Sequence, residues 1–157
     1  MMRELSRLKR ILIQRGYRVS VAESCTGGLL SKTLTDISGS SEYFVAGLVT
    51  YSNEAKMSLL GVRKKTLDTY GAVSRETASE MLNGLKRRFK TDICVSITGI
   101  AGPSGGSRRK PVGTVFIGLS IEGETYIYHR RFKGDRKGIR EQTVRFVLSE
   151  IIRRIGG

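Results

Sequence analysis

Two hydrophobic periods alternate along the chain. Leu5, Leu8, Ile11 and Leu12 recur at helical spacing and predict a first helix over residues 3–15, which Gly16 ends. The apolar run at 18–22 reads as a strand, and Thr26-Gly27-Gly28 opens a helix over 29–35. Residues 38–41 form a turn, and 45–51 predict a second strand with a small Ala46-Gly47 centre. A short helix begins at Asn53, carries Lys56 and ends at Gly61. Ser74 is placed as the N-cap of a helix reaching about Phe89, with Thr77 where a capping box takes Glu. Residues 93–97 are apolar and β-branched, as a central strand requires. Two further strands, 114–121 and 125–132, are joined at Glu122-Gly123-Glu124 and read as a hairpin. In the last helix Val144, Val147, Leu148, Ile151, Ile152 and Ile155 share one face, which is expected to pack on the sheet.

Alternating strands and helices followed by a hairpin imply an α/β protein, a three-layer α/β/α sandwich with a mixed sheet. With neither repeat nor linker, the 157 residues read as a single domain over 1–157. At 39% hydrophobic and 27% charged, the composition is that of a globular domain, and no segment approaches the roughly 20 apolar residues of a membrane span. The charged N-terminus lacks an apolar signal core, so a cytoplasmic protein with no membrane partner is expected. Cys25 and Cys94 stand too far apart for a metal-ligand spacing or a disulfide framework. The net charge of +14 is scattered over helix ends and polar faces without interleaved aromatics, so it suits a phosphorylated small molecule better than nucleic acid.

Against that background the segment Glu23-Ser24-Cys25-Thr26-Gly27-Gly28 carries the first chemistry. It places a hydroxyl, Ser24, on a small-residue turn between strand and helix, where nucleophiles and anion-binding loops are built. It reads equally as a tight turn with a helix cap. Amide or ester hydrolysis without a metal needs a nucleophile, a base and an oxyanion site. The single histidine, His129, falls mid-strand and reads as a surface or core residue, so a Ser-His-Asp triad is not expected. A lysine whose pKa is lowered by burial can take that role, and Lys56, one turn into a helix after an apolar strand, is the candidate; it reads also as a solvated lysine. The Tyr51 phenol would relay a proton between them or cap the core. The loop from Thr98 to Gly113 holds Gly102, Gly105 and Gly106 and can present backbone N–H groups to an anion; it is neither a Walker A loop nor a GxGxxG fingerprint. Arg136 and Arg140 at a helix start suit a phosphate, or are an Asp135 cap beside solvated arginines.

The blocks AESCTGG at 22–28, GSS at 39–41, TYSNEAK at 50–56, LGV at 60–62, GAVS at 71–74, TGIAGPSGG at 98–106, KPVGTV at 110–115 and FKGDR at 132–136 resemble, in order and spacing, the C-terminal domain of the competence-damage-inducible protein CinA. The resemblance runs from about residue 4 to 152 and includes nicotinamide-nucleotide amidohydrolases. It implies deamidation of nicotinamide mononucleotide to nicotinate mononucleotide and ammonia, in pyridine-nucleotide salvage, with no metal or cofactor. By motif it makes Ser24 the nucleophile, Lys56 the base and Tyr51 a relay or orienter, with Ser41 and Thr98 as supporting hydroxyls. It assigns the oxyanion or phosphate to the backbone of Thr26, Gly27, Gly28, Gly102, Gly105 and Gly106, assisted by Arg136 and Arg140. The family often has Pro where this chain has Ser38, and an acidic residue where it has Arg108-Arg109, which bears on ligand preference. A non-catalytic nucleotide-binding module of the same family is the alternative. A homo-oligomer, with a dimer favoured, is expected from the apolar residues of the terminal helices.

Overall fold

The computed structural model describes residues 1–156. Five strands, β1 (Val19–Glu23), β2 (Phe44–Val49), β3 (Ile93–Gly99), β4 (Thr114–Ile121) and β5 (Glu124–Arg131), form one sheet in the order β2-β1-β3-β4-β5. β1 runs parallel to β2 and to β3, while β4 and β5 are antiparallel to their neighbours, so the sheet is mixed.

Six helices cover it: α1 (Met2–Arg15), α2 (Leu29–Thr35), α3 (Asn53–Leu60), α4 (Lys64–Tyr70), α5 (Arg75–Phe89) and α6 (Arg136–Ile155). Strand periodicity divides the core. Val19 and Val21 of β1, with Val95 and Ile97 of β3, meet Leu5, Leu8 and Leu12 of α1, Leu30 of α2 and the apolar stripe of α6. Ala22 and Cys94 point the other way, onto Leu60 of α3, Leu67 of α4 and Met81, Leu82 and Leu85 of α5. The chain is therefore the expected α/β/α sandwich. No helix among the described residues is long and apolar enough to cross a membrane.

Most boundaries follow their local chemistry. Ser74 Oγ accepts from Thr77 N–H at 3.1 Å and Asp135 Oδ1 from Gly138 N–H at 2.8 Å, capping α5 and α6. Glu122 and Gly123 both have positive φ, 49° and 88°, as a type I′ hairpin turn requires. Three boundaries differ from expectation. β1 runs on through Glu23 because the buried carboxylate is hydrogen-bonded at the start of α2. β2 stops at Val49, which leaves Tyr51 in the connection to α3. α4 has no side-chain cap and was not foreseen; Glu80 on α5 holds its start by accepting from Arg63 N–H at 2.9 Å.

Candidate functional site

The parallel strands create a crevice. The chain leaves β1 through α2 on one face, and leaves β2 through α3, α4 and α5 on the other. The strand order therefore reverses between β1 and β3, and the carboxyl ends of those two strands open onto a cleft, the usual ligand position in α/β sheets. A cavity of about 270 Å³ lies there, lined among others by Ser24, Tyr51, Lys56, Thr98, Gly102, Gly105 and Arg136. A larger cleft, about 390 Å³, lies between α1 and α6 and brings together no comparable set of groups.

Ser24 follows β1 directly. Its N–H donates to Ile97 O at 3.0 Å, which ties the turn to β3. Behind it the Glu23 side chain, fully buried, accepts from Leu30 N–H (2.8 Å), Ser31 N–H (2.9 Å) and Ser31 Oγ (2.7 Å). These bonds dock the first turn of α2 against the strand end and fix the arc from Ser24 to Gly28.

Lys56 arrives from the opposite side of the crevice. The Ser52 side chain caps α3 by accepting from Ala55 N–H at 3.0 Å. The other end of α3 lies so close to α5 that a Cβ on Gly84 would stand 1.9 Å from Leu60 O. That contact presses the helix inward, and Lys56 is only 1% exposed. Its Nζ donates to Ser24 Oγ at 3.1 Å, Thr50 O at 3.0 Å and Tyr51 O at 3.0 Å. Loss of hydration on burial lowers the lysine pKa, since no carboxylate stands by to stabilise the ammonium. Once neutral, the amine keeps its two N–H bonds to the carbonyls and turns its lone pair to Ser24 Oγ.

The other expected site residues divide into those inside the cavity and those outside it. The Tyr51 phenol does not stand between Ser24 and Lys56: its oxygen accepts from Arg136 Nη2 at 2.9 Å, and only its main-chain carbonyl meets the lysine. Arg136 also donates to Gly102 O at 2.8 Å, so it joins Tyr51 to the glycine-rich loop. Thr98 lines the cavity while its hydroxyl donates to Ala72 O at 2.7 Å. Thr26, Gly27 and Gly28 lie behind the wall, which Cys25 forms instead, and Gly27 N–H is occupied by Ser24 O at 3.0 Å. Arg140 braces this turn from outside the cavity, donating to Thr26 O at 2.7 Å; a Cβ on Gly27 would lie 3.0 Å from its guanidinium. Gly106 serves packing, because a Cβ there would lie 2.7 Å from Val112 N. Ser41 is exposed on the 3-10 turn Ser40–Glu42, which precedes β2, and so it lies at the other end of that parallel strand from its own Ser24.

The loop itself suits an anion. Among the described residues the N–H groups of Ala101, Gly102, Ser104, Gly105 and Gly106 find no backbone acceptor, and Arg136 adds a cation. No carboxylate lines the cavity. Cys25, beside the nucleophile, is a different kind of group: burial pushes its pKa up to about 11, so it is a neutral thiol. No group of His, Cys, Asp and Glu among the described residues could hold a metal ion. Two residues beside Ser24 were not singled out from sequence, Cys25 in the wall and Glu23 behind it. The signal for Glu23 was its place at the end of an apolar strand just before a helix start.

Comparison with known proteins shows the family and the fold. The sequence profile described as the CinA C-terminal domain matches residues 3–155. A CinA-like protein of Syntrophomonas wolfei is 49% identical over 150 residues, which cover 96% of this chain and 36% of that protein. The chain thus spans about a third of the length of the curated relatives it matches. Among solved structures, the competence/damage inducible protein CihA of Agrobacterium tumefaciens is 44% identical, with a TM-score of 0.89 over 95% of this chain and 94% of that one. The competence damage-inducible protein A of Klebsiella pneumoniae is 34% identical, with a TM-score of 0.94 over 98% and 96%.

Proposed function

The chain belongs to the CinA C-terminal domain family, and from that premise we propose that its crevice is a serine–lysine amidase site acting on a nucleotide carboxamide, with nicotinamide mononucleotide as substrate. The observation that carries the reading is the buried Lys56 Nζ at 3.1 Å from Ser24 Oγ. Burial lowers the Lys56 pKa and so makes its amine easier to deprotonate, and a serine within reach of such a base is a candidate nucleophile. Neutral Lys56 takes the Ser24 proton as Oγ attacks the carboxamide carbon. The resulting ammonium gives that proton to the departing nitrogen, so ammonia leaves and an acyl ester remains on Ser24. Water, deprotonated by the same lysine, then cleaves the ester to the carboxylate. The Cys25 N–H, which has no backbone acceptor, is the donor next to the developing oxyanion. The free amides of Ala101, Gly102, Ser104 and Gly105, with Arg136, suit the phosphate end of the ligand.

The test is ammonia release from nicotinamide mononucleotide by purified protein. Turnover is expected in the wild type, with a loss of several orders of magnitude in Ser24→Ala, because nucleophile and base act as a unit. Tight binding of the nucleotide with no ammonia release would overturn the proposal and leave the crevice a binding module.

A further inference from the structure

The charge that reads as scattered along the chain is gathered by the fold. α1 and α6 lie together on one face of the sheet, and both are strongly basic. α1 holds five basic side chains against Glu4 alone, and α6 holds six against Glu141 and Glu150. The helices of the other face, α3, α4 and α5, hold seven basic side chains against four carboxylates. Pairing does not cancel the excess on the first face. Lys137 and Arg153 meet Glu141 and Glu150, but Arg3, Arg10 and Arg145 meet no carboxylate among the described residues.

The two helices run in the same sense. Glu4 and Arg7 line the larger cleft with Ser149, Ile152 and Arg153, and Arg15 lies with Arg154 and Ile155 further along. Helical spacing sorts the exposed positions into two rows, Arg3, Arg7 and Arg10 on α1 and Arg145, Ser149 and Arg153 on α6. Each row is about 10–12 Å long, and the axes of a packed helix pair stand about 8–10 Å apart. All but Ser149 are guanidiniums, whose planar fork fits phosphate oxygens.

This geometry selects the ligand. A lone phosphate would use one end of such an array, whereas a nucleic-acid backbone supplies anions along its whole length. A single strand is held by stacking its bases on aromatic rings, and neither row contains one. An anionic bilayer takes up the apolar face of an interfacial helix, and here that face is spent on the core through Leu5, Leu8, Leu12, Val144, Val147 and Leu148. A duplex needs neither, because its two rows of phosphates can meet two rows of cations. We propose that the α1–α6 face binds double-stranded nucleic acid through its phosphates, without reading sequence. This rests on the charged face alone and is independent of the Ser24 chemistry.

Fluorescence anisotropy of a labelled DNA duplex of about 20 mixed-sequence base pairs, titrated with the full chain across a salt series, tests it. The wild type is expected to bind at about 50 mM salt, with log K falling against log[salt] at a slope of about −4, because each neutralised phosphate contributes about −0.9. The triple variant Arg3→Ala/Arg10→Ala/Arg145→Ala is expected to bind at least about tenfold more weakly, with a slope shallower by about 3. The variant Lys64→Ala/Lys65→Ala/Arg87→Ala removes the same charge from exposed positions on the other face and is expected to stay within about twofold of the wild type. Circular dichroism checks folding. Should the first triple variant fail to fold, Arg145→Ala alone decides, with a slope shallower by about 1 expected and an unchanged slope overturning the proposal. No duplex binding by the wild type overturns it, and so do equal losses in the two triple variants, which would reduce binding to net charge. Tighter binding to a single strand of the same length, or binding to anionic lipid vesicles with none to the duplex, overturns it as well.

Discussion

Glu23 and Lys56 reach Ser24 from opposite sides, one through the chain and one through space, and both are cut off from water. Each makes three hydrogen bonds, but to different kinds of partner. Glu23 receives two amides and a hydroxyl at the start of α2 and has no contact with the cavity. Lys56 donates to two carbonyls and to the reacting hydroxyl itself. The carboxylate is fixed by donors that cannot leave. The ammonium is held by acceptors that remain satisfied when one proton goes. A buried charge of the first kind is scaffold, and one of the second kind is available for proton transfer.

Removing the second kind breaks the pair most sharply. Lys56→Met keeps the stem and deletes the base, and a loss of about 10³-fold in turnover is expected, within the range for general-base removal. The same variant separates chemistry from stability by pH. Burial lowers the lysine pKa in the folded state. Below that folded value both states bind the proton and the full cost of the buried ammonium is present. Between it and the ordinary value of about 10.4, the unfolded chain binds a proton that the folded chain does not, so wild-type stability rises with pH. Lys56→Met lacks this rise. Urea midpoints measured across pH should therefore show the wild type gaining on the variant as pH increases above the folded value, while wild-type kcat/KM climbs up to that value and levels off beyond it. A constant gap between the two midpoint curves would mean that Lys56 is not strained by burial.

Glu23→Gln tests the other member. The amide presents its own donors to a site built wholly of donors, leaving a buried N–H or hydroxyl unmatched. A stability loss of about 3 kcal/mol is expected by urea unfolding, given a penalty of about 1–3 kcal/mol for each unsatisfied buried group. Because the carboxylate acts on Ser24 only through the turn, turnover should fall by less than in Lys56→Met and keep the wild-type pH profile. A shifted profile with unchanged stability would make Glu23 part of the proton path and dissolve the contrast.

How much of this could be read in the sequence follows from which forces act locally. The sheet, the amphipathic faces of α1 and α6 and the caps at Ser74 and Asp135 are set by periodicity and near neighbours, and they were legible. α4 was not, because its start is held by Glu80 from another helix. Ser24 and Lys56 could be paired as nucleophile and base, but their direct contact could not be read, since it depends on Gly84 letting α3 close onto α5. The Tyr51 phenol was expected, from its place at the last position of the strand, to relay a proton between them or to cap the core. With β2 ending at Val49, its side chain instead reaches Arg136 on α6, a contact spanning the molecule. Arg140 and the Thr26–Gly28 turn were expected inside the site and stand behind it, because the turn rolls Cys25 to the cavity wall.

Cys25 gives the finest test of the same contrast. It adjoins Ser24, lines the same cavity and is intrinsically the stronger nucleophile as a thiolate, so proximity alone would make it a rival. Its environment decides otherwise. Burial raises its pKa to about 11. At neutral pH only about one thiol in 10⁴ is then ionised, and the attacking form is all but absent. Lys56, at the same depth, has its proton loosened rather than tightened, because burial penalises a thiolate and an ammonium in opposite directions of pH. Cys25→Ser, which keeps volume and polarity close to the original, should hold kcat/KM within about tenfold of the wild type, as expected for a side chain that only shapes the wall. N-ethylmaleimide should label the folded protein at this position more slowly than the unfolded chain by orders of magnitude. A loss in Cys25→Ser matching that of Ser24→Ala would put the sulfur, not the hydroxyl, in the reacting position, and Lys56 would then be paired with the wrong neighbour.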